Sequence, residues 1–97
     1  MLHIVNKSPF TNNTLDECLR FVTQGSVILL IEDGVLAARS GTVYSSKMAK
    51  TLKENEVYVI EADILARGVS PIIEGIKVTN YEGFVKLVEK NRVHSWV

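Results

Sequence analysis

Cys18 is the only cysteine in the chain and falls one turn into a predicted helix. A single thiol closes no internal disulfide and holds no metal alone, so any covalent chemistry it performs passes a group to or from a second molecule. The start of a helix favours a thiolate through its free amide groups and dipole, while Asp16 and Glu17 oppose it by like-charge repulsion. Cys18 also shares the i, i+3, i+4, i+7 stripe of Leu15, Leu19 and Val22. A cysteine on such a stripe is often a small buried hydrophobe, so the residues leave both a reactive and an inert thiol open.

Other chemistry-bearing residues are scattered. His3 and His94 lack i, i+4 spacing and a companion cysteine, so the sequence supports no metal centre. Asp33 follows an apolar run and precedes Gly34, which suits either a catalytic loop or a turn. Arg67, beside Gly68, is placed to bind an anion or a partner carboxylate, or to stabilise its own helix end. Trp96, the only tryptophan, can dock against another subunit or cover an edge of its own sheet. Neither G-x-G-x-x-G nor a G-x-x-x-x-G-K-[ST] phosphate loop is present, and no cofactor is expected.

The elements that position these residues alternate. Leu2 to Val5 predicts a strand stopped by Pro9, and Thr14 to Val22 a helix with a Thr14/Glu17 capping box and Gly25 beyond its end. Val27 to Ile31 predicts a strand buried on both faces, Val35 to Ala38 a helical turn, and Ser45 to Asn55 a helix. Val57 to Ile60 predicts a third strand, and Ile64 to Arg67 a short helix capped by Asp63. Ile76 to Thr79 predicts a fourth strand and Tyr81 to Lys90 a last helix carrying Phe84, Val85 and Val88 on one stripe, with Leu87 beside it. The expectation is one α/β domain over residues 1–97, with a mainly parallel four-stranded sheet and helices on both faces. Ligands of such sheets gather beyond the carboxyl ends of the strands, here Asn6 to Asn13, Glu32 to Gly34 and Glu61 to Asp63.

Composition narrows the function classes. Eleven basic residues balance eleven acidic ones without a long run of either sign, which argues against direct nucleic-acid or anionic-membrane binding. The amino-terminal residues lack a secretory pattern, the longest apolar run is too short to span a bilayer, and a lone thiol suits a reducing compartment. A cytoplasmic protein is expected.

The ordered set Leu2-His3, Asn6-Lys7-Ser8-Pro9-Phe10, Glu32-Asp33-Gly34-Val35-x-Ala37-Ala38, Asp63-x-Leu65-Ala66-Arg67-Gly68 and Tyr81-x-x-Phe84-Val85-x-Leu87 resembles the DsrH/TusB family, as does a tail ending near Trp96. The resemblance covers nearly the whole chain. It implies a small DsrEFH-like, Rossmann-like subunit of a cytosolic sulfur-relay complex, assembled with DsrE/TusD-like and DsrF/TusC-like partners. Such complexes move sulfur as a cysteine persulfide to a downstream acceptor protein, toward tRNA wobble-uridine thiolation in the TusB branch and sulfur oxidation or trafficking in the DsrH branch. Isolated subunits of such complexes can self-associate.

The position of Cys18 resembles the cysteine of DsrH-type subunits, whereas TusB-type members typically lack a thiol there, so the resemblance is closer to the DsrH branch than to strict TusB. Two expectations follow from the resemblance: a sulfur-transfer subunit whose Cys18 carries persulfide, or an interaction subunit that completes the hetero-oligomer, with Asp33, Arg67 and Trp96 as interface or site-lining residues. A third, a stand-alone enzyme using Asp33 and His3 as acid and base, lacks any indicated substrate class.

Overall fold

Apolar β-branched runs bounded by turn residues become strands, and the segments between them become helices, in a computed structural model that describes residues 1–97. The order is β1 (Leu2–Val5), α1 (Thr14–Phe21), β2 (Val27–Leu30), a 3-10 helix (Glu32–Ala38), α2 (Ser45–Thr51), β3 (Glu56–Ile60), α3 (Glu61–Ala66), β4 (Lys77–Thr79), α4 (Tyr81–Lys90) and β5 (Val93–Trp96). All pairings are parallel and the strands lie in the order β4-β3-β2-β1-β5. The α/β expectation holds, with one strand more than the four read from the sequence.

The extra strand, β5, pairs with β1 in the register Leu2 to Val93, His3 to His94, Ile4 to Ser95 and Val5 to Trp96. It escapes sequence reading because an edge strand needs little apolar content: Val93, His94 and Ser95 are exposed and only Trp96 is half-buried. The polypeptide reaches this edge through α4, which crosses from β4 on one side of the sheet to β5 on the other.

Helices cover both faces unequally. Val5, Ile28, Leu30, Val57 and Val59 meet Leu15 and Cys18 of α1, Val35, Ala37 and Ala38 of the 3-10 helix, Met48 of α2 and Ile64 of α3 in the main core. On the opposite face Leu2, Ile4, Leu29 and Ile60 are covered by Phe84 and Leu87 of α4. Because β1 and β2 are buried on both faces, β2 reads as a continuous apolar run and β1 departs from one only at buried His3.

Several local expectations are corrected. The Thr14/Glu17 capping box does not form; Thr14 is already helical, and its N–H donates to Asn12 Oδ1 at 2.9 Å. The second long helix ends at Thr51, four residues short of Asn55. Asp63 lies inside α3, which starts as soon as β3 ends, so its carboxylate is released from capping for a longer-range contact. On α4 the sheet takes Phe84 and Leu87, whereas Val85 and Val88 remain exposed.

Candidate functional site

Cys18 sits in the interior. Its stripe with Leu15 faces the sheet, and the residue has no exposed surface. Removal from water penalises the charged form and pushes the thiol up to about 12. That is opposite in direction to the depression expected of a helix start. Asp16, its neighbour, turns outward, where Lys47 Nζ donates to it at 2.6 Å and Tyr44 Oη at 3.3 Å. The Lys47 bond holds the Asp16 carboxyl below its ordinary value, and burial, reinforced by Asp16, raises the Tyr44 phenol.

Asp33 and Arg67, 34 residues apart, are brought together at the carboxyl ends of β2 and β3. Arg67 Nε donates to Asp33 Oδ1 at 2.8 Å, and Arg67 Nη1 lies 3.5 Å from Asp63 Oδ1. The Asp33 bond raises the guanidinium further above its ordinary value. Asp63 completes the cluster by accepting the Glu32 N–H at 2.8 Å, where Glu32 holds a left-handed φ of 49°. A non-glycine residue in that region is strained, and the Asp63 bond helps to hold it there.

Gly34 makes the cluster possible. A Cβ at this position would run into the backbone carbonyl of Val5, so only glycine lets the 3-10 helix close against the end of β1. Asn6 follows in the same corner, with its side-chain oxygen buried and unpaired. The sequence places Asp63 at a helix cap and in a strand-end loop but does not pair it with Arg67; their i, i+4 spacing is the available signal for the ion pair.

Trp96 lies elsewhere, on the β5 edge. Its Nε1 donates to His3 Nδ1 at 3.1 Å, its ring stacks on Phe21 of α1 at 6.0 Å, and His94 lies 4.6 Å away. His3 is 5% exposed, and burial, with His94 and the amino terminus adding like charge, lowers its pKa. The sequence-derived residues therefore fall into three places: Cys18 in the core, Asp33 with Arg67 beyond β2 and β3, and Trp96 with His3 at β5. Asp33 and His3 belong to different networks, which removes the geometric ground for pairing them as acid and base.

Between α1 and α2 lies an open groove of about 420 Å³, edged by Asp16, Arg20, Lys47, Lys50 and Glu54 over Leu19 and Val22. Charges of both signs and the lack of an aromatic wall distinguish it from an apolar ligand pocket. No helix is long and apolar enough to cross a membrane.

These features define a small parallel α/β protein whose Asp33, Asp63 and Arg67 cluster lies beyond the carboxyl ends of β2 and β3 and whose thiol is sealed inside. Comparison with known proteins narrows the class. The family model described as DsrH-like protein matches residues 7–94. Protein TusB of Shigella flexneri is 33% identical over 92 residues, which are 94% of each chain, and Protein TusB of Escherichia coli K12 is similar to the same extent. The chain belongs to the DsrH/TusB family. Among solved structures, a protein of unknown function from Methanobacterium thermoautotrophicum superposes with a TM-score of 0.67 at 14% identity, covering 97% of this chain and 95% of that one. A Thermotoga maritima protein solved by NMR gives 0.65 at 24% identity, covering 94% of each chain. Both share the fold.

Proposed function

We propose that this chain is a subunit of a cytoplasmic sulfur-relay complex serving tRNA thiolation, and that its role there is to complete the assembly rather than to carry the sulfur. The observation that carries the second part is the burial of Cys18. Persulfide exchange requires a thiolate that reaches the outer sulfur of a donor, and here the thiol is enclosed among core side chains with its ionisation suppressed. Membership of the DsrH/TusB family supports the first part. TusB-like relatives and an enclosed thiol also leave little residue-level reason to favour the DsrH branch and sulfur oxidation.

The proposed partners are the TusC-like and TusD-like subunits, which would supply the sulfur-carrying cysteine. The Asp33, Asp63 and Arg67 cluster is the proposed contact. Asp33 remains 61% exposed while its partner Arg67 fixes its orientation, so the pair presents an ordered charged surface at little further ordering cost.

The experiment is co-expression with TusC-like and TusD-like subunits, size-exclusion chromatography, and mass spectrometry after exposure to a persulfide donor. A stable complex that forms equally well with Cys18→Ala, is lost with Arg67→Glu, and places added sulfur on a partner cysteine is the expected result. Sulfur that appears on Cys18 and moves to a partner would instead make this chain a carrier, with α1 opening in the complex.

A further inference from the structure

His3 is buried and ionisable, the proposed role does not use it, and its hydrogen bond fixes its protonation state. An indole N–H only donates, so the 3.1 Å contact from Trp96 Nε1 requires a lone pair on His3 Nδ1 and places the imidazole proton on Nε2. The same bond excludes His3 from pairing with His94 around a metal, because a ligating Nε2 would need its own lone pair and a proton on Nδ1.

Protonating His3 puts a hydrogen on Nδ1. The Trp96 bond is then lost, because two N–H groups face each other. The imidazolium also meets an unfavourable surrounding: His94 lies across the β1/β5 pairing with ring centroids 6.1 Å apart, and the Met1 ammonium heads the same strand. Ile28 of β2 flanks it on the other side, and α1 contributes to this corner the apolar ring of Phe21, stacked on Trp96. No carboxylate acts on the ring to compensate.

The contact is made at the sheet edge. β5 has a single strand neighbour, β1, and Trp96 is its only half-buried residue. We propose that the His3/Trp96 hydrogen bond is a proton-sensitive clasp: uptake of one proton by His3 frees Trp96 and releases β5 from the sheet edge while β1 to β4 stay paired.

Trp96 is the only tryptophan, so its emission reports on the clasp without labelling. The purified full chain would be titrated from about pH 8 to about pH 5 by fluorescence with acrylamide quenching, and by amide hydrogen exchange resolved to β5 and to β2 and β3. Expected are a red shift and increased quenching as pH falls below the ordinary histidine value of 6.5, with exchange rising in β5 and unchanged in β2 and β3. His3→Asn keeps an acceptor oxygen and does not titrate, and should abolish the transition. Persistence of the transition in His3→Asn, or exchange rising in all strands together, would overturn the proposal. Should that variant fail to fold, nitrogen NMR of the natural protein decides: a proton on Nε2 at neutral pH supports the clasp, and a proton on Nδ1 refutes it.

Discussion

At Cys18 two physical effects oppose each other. A helix start stabilises a thiolate by a fraction of a kilocalorie to about 1 kcal/mol at an exposed site, whereas taking the thiolate out of water costs several times that. Burial prevails, and the thiol stands at about 12 against an ordinary 9.0, which lowers the thiolate fraction at neutral pH roughly a thousand-fold. Alkylation of the folded isolated chain at neutral pH should therefore be slower than that of the denatured chain by at least about a hundred-fold. Iodoacetamide labelling followed by mass spectrometry, with and without denaturant, measures the ratio; equal rates would show an accessible thiol. Cys18 also shows what a linear sequence leaves ambiguous. The spacing to Leu15 and Leu19 announced the core stripe, yet the same residue stood near a helix start. Only the packing of α1 on β1 and β2 chooses between those meanings. Asp33 and Arg67 were legible singly, from a strand end and a helix end, whereas their pairing depends on β2 and β3 being neighbours in the sheet.

Elements were readable where burial is complete and less so where it is partial. β1, β2 and β3 carry predominantly apolar runs because covered strands need them, and their existence followed directly from sequence. β5 and the orientation of α4 did not. α4 buries no residue completely, so its apolar stripe is broad and its rotation is set by which side chains meet Leu2, Ile4 and Leu29. The rotation keeps the predicted Phe84 and takes the neighbouring Leu87 in place of Val85 and Val88. Phe84→Ala should accordingly cost about 2 kcal/mol, below the range for a fully buried aromatic, while Val85→Ala should change stability by less than about 0.5 kcal/mol. Urea denaturation midpoints at unchanged slope provide the comparison. Equal losses for the two variants would mean that α4 is rotated by nearly a third of a turn from the position described.

For the whole molecule, proton binding links these local environments to stability. His3 has a folded-state pKa below its ordinary 6.5 because burial disfavours the cation. Between those two values the unfolded chain binds the proton more readily than the folded one, so unfolding takes up protons and stability rises with pH. The His3 contribution is thus fully present above about 6.5 and is lost as pH falls through 6.5 toward the folded value. Asp16 acts in the same direction in a lower window. Its carboxyl is held below its ordinary 3.8 by the Lys47 hydrogen bond, so its contribution is present above 3.8 and disappears as pH falls through the folded value. The Asp16/Lys47 pair is substantially exposed, with side-chain accessibilities of 30% and 50%, and solvent screening keeps its contribution small. The buried histidine should dominate the mildly acidic range. Denaturation midpoints should therefore fall between about pH 8 and about pH 5.5, with Asp16→Asn leaving that fall unchanged and His3→Asn flattening it. A fall of equal size in both variants would place the responsible proton on a group other than His3.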